Sequence, residues 1–285
     1  MISFRFHIVS LAAVFMALAL GIVLGTAFID DATINRLDTG IKTAKAERDD
    51  ARRQLSIWSS FGNDAEASLI AGRLDGVRVL TIVPEGVSGS LSQKVHSELA
   101  AAGAVDAGTL TLDSVWADTP PHTDAIAKTL DIVGPSSIES VTDAAADRLA
   151  HEFAAGGGGT LPLLVQANLA RLDAGDPAAT PGAQTRYLVI DNGPPAGLLE
   201  PLTRALATQV PNSVLVADAS ADDIIGQSLV GVMRSKPGSA SFSTVDHLDN
   251  VRGRIAAVLA LREFDRGTTG DYGSGPGHDR AVPAA

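Results

Sequence analysis

Three residues near the C-terminal end of the chain carry side chains that can bind a metal ion: Asp246, His247 and Asp249. Imidazole and carboxylate groups are ordinary ligands of zinc and divalent copper. A metal site needs three or four such groups, and no two of the six His residues lie at metal-ligand spacing in the sequence. We therefore interpret this acidic cluster as a solvated loop before the last helix, and keep its three residues as the candidate metal ligands.

Motifs for other chemistry are missing from the sequence. It contains no Walker A pattern, no G-x-G-x-x-G between a strand and a helix, and no G-x-S-x-G nucleophile elbow. The absence of Cys excludes disulfides, Fe–S clusters, thiolate zinc sites and Cys nucleophiles. Beyond the initiator the Met residues are Met16 and Met233, too few for a ladder of Cu(I) ligands. The sequence thus predicts a protein that is not an enzyme.

The charge balance excludes another class of partner. The chain has 33 acidic and 22 basic residues, a formal net charge of -11. Nucleic-acid backbones are held by clustered Lys and Arg, so we expect no nucleic-acid partner.

The start of the chain has the length and composition of a membrane anchor. The segment Ile8–Ile29 contains no charged residue. At about 1.5 Å per residue, a helix of this length crosses the hydrocarbon core of a bilayer. A cleaved signal peptide is the alternative, but the apolar run is longer than such peptides usually have. We therefore predict a membrane anchor over residues 1–30.

The orientation of this anchor is predicted from its flanking charges. Arg5 precedes the apolar run, whereas Asp30 and Asp31 follow it. Arg36, Lys42, Lys45 and Arg48 also follow the apolar run closely enough to count in the positive-inside rule. They weaken the difference in charge between its two ends. Because long domains are translocated largely regardless of such charges, we favour a single-pass protein with an extracytoplasmic body.

One face of the anchor consists of small residues. Ala13, Ala17, Gly21 and Gly25 recur every four positions, and the last two form a GxxxG motif. Small residues let two membrane helices approach closely, so this face predicts a helix–helix interface.

A heptad pattern follows over residues 31–62, which we predict to be a short parallel coiled coil. The positions a are Ile34, Ile41, Arg48 and Leu55, and the positions d are Leu37, Ala44, Ala51 and Trp58. Arg48 is the one charged seam residue, and the two Ala residues make the seam thin. The alternative is a single amphipathic stalk that lies on its own globular domain. Because the anchor face and the seam both suit a parallel partner, we expect a homodimer.

The remainder, residues 63–266, alternates short apolar runs with amphipathic helical segments. The pattern predicts strands over 77–83, 105–112, 186–190, 213–217 and 229–234, and helices over 90–102, 138–155, 161–172, 198–210 and 251–264. Residues 58–75 are predicted to be a polar junction, and 267–285 a flexible Gly-rich tail. Buried strands alternating with helices predict an α/β domain with a mostly parallel sheet, similar to Rossmann or flavodoxin folds.

Both ends of the chain resemble one actinobacterial family, the mycobacterial copper transport protein B family. The opening Met1–His7, with the segments 9–15 and 21–25, looks like the start of these proteins. Four C-terminal blocks occur in the matching order, namely Ser243–Asp246, Gly253–Ile255, Leu259–Leu261 and Gly270–Gly275.

The resemblance implies a cell-envelope protein that acts in copper efflux or copper homeostasis. Copper is implied by this resemblance alone, and it brings no ligand residues with it. Some relatives resemble partners of cell-separation factors that control peptidoglycan hydrolysis, so a non-enzymatic coiled-coil scaffold for an envelope or cell-division protein is the alternative. A pore needs several helices or a closed barrel, because backbone polar groups must be satisfied within the lipid. A single anchor provides neither.

Overall fold

The computed structural model describes residues 4–27, 31–116, 123–132, 137–176, 181–191, 193, 197–219, 227–235 and 241–284. In the first two helices, side chains are described for residues 6–25 and from residue 36 onward. The chain divides into two compact units, Met1–Ser60 and Phe61–Ala285.

The described residues form nine α-helices and seven strands, with two short 3-10 helices at Ser114–Trp116 and Phe264–Arg266. The helices are α1 Phe4–Ala27, α2 Asp31–Ile70, α3 Gly89–Ala101, α4 Thr123–Thr129, α5 Ile138–Ala155, α6 Thr160–Gln166, α7 Leu199–Gln209, α8 Leu229–Ser235 and α9 Val251–Glu263. The strands are β1 Arg78–Pro84, β2 Val105–Leu112, β3 Ala170–Asp173, β4 Thr185–Asp191, β5 Val214–Asp218, β6 Phe242–Val245 and β7 Asp271–Tyr272.

The second unit is built on one sheet with the order β3-β2-β1-β4-β5-β6-β7. Neighbouring strands run parallel, except that β3 is antiparallel to β2. Every residue of β4 and of β5 is buried, as expected for central strands covered on both faces. The prediction of an α/β domain with a mostly parallel sheet is therefore confirmed.

The two faces of the sheet have separate apolar cores because side chains alternate along each strand. On β1, Leu80 and Ile82 face the core that helices α5 and α7 cover. Val79 and Val83 face the opposite core, which is covered by α3 and α9. The carboxyl ends of the six parallel strands therefore lie at one edge of the sheet.

Helix α1 contains a segment, Phe6–Gly25, that is long and apolar enough to cross a membrane. Its mean hydropathy is 2.6, and its described side chains are exposed. A Cβ atom added at Gly21 or Gly25 would have no other atom within 4 Å. The predicted small-residue face, which also includes Ala17, is therefore open on the helix surface.

Helix α2 is longer than the sequence pattern predicted. The polar junction expected over residues 58–75 is wrong in its first part, because the helix continues to Ile70. Two apolar residues explain this, since Ile70 and Leu74 are buried in the core beneath α3 and α9.

The predicted seam residues of the coiled coil lie on this one continuous helix. Leu37, Ile41 and Leu55 have exposures of 64%, 67% and 69%. Ala44 and Arg48 are exposed as well, and the Arg48 guanidinium pairs with Asp49 at 2.9 Å. The side chain of Ile34 lies outside the described residues.

Two segments of the second unit differ from their predicted secondary structure. The helix expected over 161–172 ends at Gln166, and β3 follows it. The strand expected over 229–234 is helix α8. Both are short apolar runs, in which periodicity cannot distinguish a buried helix from a strand.

The Gly-rich segment after residue 267, expected to be a flexible tail, is packed against the sheet. It contributes β7, which pairs with β6, and then folds back so that the N–H of Gly273 donates to the carbonyl of Arg280. Composition predicted flexibility, but hydrogen bonds from distant residues hold the segment.

Candidate functional site at the carboxyl edge of the sheet

Three buried aspartates end neighbouring parallel strands. Asp191 and Asp218 are the last residues of β4 and β5 and are partners in the strand register, and Asp246 follows β6 directly. Their exposures are 4%, 3% and 3%. Strand alternation directs all three toward the face that carries α8. Ligands of α/β proteins bind outside these carboxyl ends, so this edge is the candidate site.

Two of these aspartates, Asp191 and Asp246, hold the two ends of α8. The N–H of Leu229, the first residue of α8, donates to Asp191 Oδ2 at 3.2 Å. At the other end of the helix, Arg234 Nη1 donates to Asp246 Oδ2 at 3.0 Å. Both side chains of the Arg234–Asp246 pair are almost completely buried, at 5% and 4% exposure. The acidic edge thus clamps a helix.

Asp246 also holds the C-terminal segment. Its carboxylate accepts hydrogen bonds from the backbone N–H groups of Ser274 and Gly275, both at 2.8 Å. Arg234 strengthens the same junction, because its Nη2 donates to the carbonyl of Tyr272 at 2.7 Å. A single carboxylate therefore links β6, α8 and the segment after β7.

The protonation of Asp246 follows from these contacts. Burial by itself raises its pKa, but the two backbone N–H donors and Arg234 outweigh burial and lower the pKa below the ordinary 3.8. A depressed carboxyl pKa stabilises the fold at pH values above 3.8, and this contribution is lost as the pH falls through the folded-state pKa.

The other two candidate metal ligands are placed differently. His247 has a positive φ of 64°, and its Nε2 lies 3.8 Å from Asp246 Oδ1. Asp249 is exposed, as expected for a solvated loop, whereas the burial of Asp246 contradicts that expectation. Within the described ranges, no group of three or more His, Asp or Glu side chains could hold a metal ion.

A second ionic cluster joins three helices on the other face of the sheet. Arg254 of α9 is 3% exposed, and its Nε contacts Glu98 of α3 and lies 3.4 Å from Glu66 of α2. The same guanidinium donates to the carbonyl of Asp249 at 3.1 Å. One buried cation therefore faces two carboxylates.

A cleft of about 590 Å³ opens beside α3, with the residues that follow β5 and β6 also in its lining. Its lining includes Ser90, Lys94 and Ser97 from α3, with Ala219 and Asp249 opposite. The polar residues of this lining provide hydroxyl, ammonium and carboxylate groups.

Several of these residues were not predicted from the sequence. Asp191 and Asp218 carry a recognisable signal, because each directly follows an apolar run, 187–190 or 214–217. Arg254 lies in one of the blocks that carried the family resemblance. Glu98 has no such signal, since it is one of many polar residues on a helix.

The described chain is an α/β protein with one N-terminal helix of membrane-spanning length. The family described as "Copper transport outer membrane protein, MctB" matches residues 1–283, and the chain belongs to this family. "Copper transporter MctB" of Mycobacterium leprae (strain TN) is 28% identical over 316 residues, which cover 97% of this chain and 98% of the relative. The protein of the same name from Mycobacterium tuberculosis (strain ATCC 25618 / H37Rv) is 28% identical over 309 residues, with the same coverage.

Proposed function

We propose that this chain is a membrane-anchored protein of the cell envelope that takes part in copper efflux and copper homeostasis, and that it is not an enzyme. The observation that carries this proposal is the family match over residues 1–283. The similarity to copper transporters over 97% of the chain supports it. Nothing in these comparisons supports the alternative role as a scaffold for a cell-separation factor.

Copper is the cargo in this proposal, and its path requires more than α1 alone. A path for an ion across lipid needs polar groups enclosed between several helices. The polar groups of an isolated helix would face the lipid instead. The segment Phe6–Gly25 contains no charged residue. We propose that copies of this chain, or a further envelope protein, complete the path, and that the body lies outside the cytoplasm.

The finer fold assignment is also part of the proposal. The order β3-β2-β1-β4-β5-β6 is that of a Rossmann sheet, although β3 is antiparallel here. We propose that the body is a Rossmann-like domain in which the crevice at the strand ends contacts other molecules.

We further propose that α1 and the first part of α2 pair in parallel with a second copy. The support is the open surface at Gly21 and Gly25 and the exposure of Leu37, Ile41 and Leu55, which are apolar side chains at seam positions. A parallel pair satisfies both segments at once, and both copies then keep their bodies on the same side of the membrane.

Cross-linking through single cysteines tests this pairing in a chain that has none. We expect efficient disulfide formation in membranes for Leu37→Cys, Ile41→Cys and Ala44→Cys, and little for the outward control Ala46→Cys. Adding Gly21→Ile should reduce the seam cross-links, because a large side chain separates the helix backbones. Equal cross-linking at all four positions, or none, would contradict a parallel seam.

A clean deletion tests the role in copper. We expect the deletion strain to stop growing at a lower copper concentration than the parent and to accumulate more cell-associated copper, with both defects restored by the full chain. A complementing gene that lacks residues 4–27 is the matched control and should fail, because the body then has no anchor. Unchanged copper tolerance and copper content in the deletion strain would refute the proposal.

A further inference from the structure

The cluster of Glu66, Glu98 and Arg254 has one more acidic group than its cation can neutralise. The side chains of Glu66 and Glu98 are 16% and 12% exposed. Each carboxylate places its Oε1 against the same Nε of Arg254, so the two carboxylates lie close together. Among the described residues, the buried Oε1 of Glu66 has no hydrogen-bond donor.

Among the residues that the structure describes, the charged groups on the surrounding elements do not supply a second cation. His96 lies beside Asp106 of β2. Arg252 donates a hydrogen bond to Ser274, and Arg73 donates one to the carbonyl of Leu69. The other ionisable residues near this cluster face solvent, namely Asp64, Lys94 and Asp249. The charges that act on Glu98 are therefore Arg254, which is favourable, and Glu66, which is unfavourable.

We propose that Glu66 and Glu98 share one proton, and that binding and release of this proton control how firmly the last turns of α2 dock on α3 and α9. With the proton bound, the Glu98 carboxyl donates a hydrogen bond to Oε1 of Glu66, which has no hydrogen-bond donor of its own among the described residues, and Arg254 neutralises the remaining charge. When the proton leaves to solvent, two buried anions face one cation and repel each other. This regulatory device is independent of the proposed copper role.

The pH range of this change follows from Glu98. Burial raises its pKa most, Arg254 lowers it and Glu66 raises it further, so that it reaches about 7 instead of the ordinary 4.5. A raised carboxyl pKa means that the folded protein binds more protons than the unfolded chain between these two values. The docking therefore weakens as the pH rises from 4.5 to about 7 and stays weak above that.

The contacts of α2 show which segment responds. Glu66 lies between Gly62, whose Cα hydrogen faces Val251 of α9, and Ile70, which is 2% exposed in the core. The segment Phe61–Ile70 is thus held by apolar contacts at both ends and by the ionic cluster in the middle. Loss of the cluster's proton should loosen this segment without unfolding the sheet.

Spin-label mobility in the full chain, reconstituted in lipid nanodiscs, measures this docking. The label is attached at Ser68→Cys, an exposed position on the responding segment. We expect an immobile spectrum at pH 5 and a mobile component that grows with a midpoint near 7. Glu98→Gln, which keeps a neutral donor toward Glu66, should remain immobile at every pH. Glu66→Gln should shift the midpoint to lower pH, because the repulsion of Glu98 is removed.

The exposed Glu47→Gln is the matched control and should behave like the parent protein. Infrared difference spectra between pH 5 and pH 8 add a direct readout, since a protonated carboxyl band present in the parent should be absent in Glu98→Gln. If Glu98→Gln does not fold, the midpoint of Glu66→Gln still decides. A parent spectrum that does not change with pH, or an unchanged midpoint in Glu66→Gln, would overturn the proposal.

Discussion

Replacing Asp246 by Ala is expected to destabilise the second unit by about 3–5 kcal/mol, the usual loss when one partner of a buried ion pair is removed. The substitution leaves the buried Arg234 guanidinium without its carboxylate. It also leaves the N–H groups of Ser274 and Gly275 without their acceptor. Thermal unfolding of the full chain in detergent measures the loss, and the segment after β7 should become sensitive to protease.

The control for this substitution lies three residues away. Asp249→Ala removes an exposed carboxylate whose side chain the structure does not bury, and it should change stability by less than about 0.5 kcal/mol. Both variants lose one negative charge, so a comparison between them separates the buried pair from the effect of net charge. A loss of stability that is equal in the two variants would contradict the role assigned to Asp246.

Arg254→Leu should also lower the free energy of unfolding by about 3–5 kcal/mol at neutral pH, because it leaves the buried carboxylates of two helices without their cation. Leu keeps much of the apolar volume of the arginine stem, so the loss reports charge more than packing. Since burial raises the pKa of the Glu98 carboxyl to about 7, that group takes up a proton as the pH falls, and the loss should shrink toward pH 4.5. Thermal unfolding between pH 4 and pH 8 measures both the size and the slope.

Arg252→Leu provides the control on the same helix. Arg252 is exposed and donates to the hydroxyl of Ser274 at 2.8 Å, so its removal should cost less than about 1 kcal/mol. A pH-independent loss in Arg254→Leu would show that its packing, and not its charge, holds the three helices together.

The elements that the sequence predicted well carry their signals locally. The helix over Ile138–Ala155 has a Ser at its N-cap, where Ser137 accepts from the N–H of Ser140, and ends on Gly156 in the left-handed region. The strand predicted over 186–190 is observed as Thr185–Asp191; it contains the apolar run 187–190, and all of its residues are buried. Such signals depend on neighbours in the chain, and sequence reasoning can find them.

Other elements depend on contacts that are distant in the sequence. Helix α8 begins with a short apolar run, and the N–H of its first residue, Leu229, donates to Asp191, which lies 38 positions earlier in the chain. Glu98 and Arg254 are 156 positions apart. The sequence identified Asp246 as a residue of interest, but not its burial, because its partners are on α8 and in the Gly-rich segment. Local pattern carries no information about such pairs.

The packing of the C-terminal segment affects how the domain can fold while the chain is being synthesised. The N–H of Ala284 donates to Glu263, and the hydrogen bonds to Asp246 from the N–H groups of residues 274 and 275 can form only after those residues have been synthesised. While the chain is being synthesised, β6 therefore has an open edge until almost all of these residues have emerged. Unpaired edges are prone to intermolecular pairing, so a chain halted before residue 271 should aggregate even though it retains most of its core.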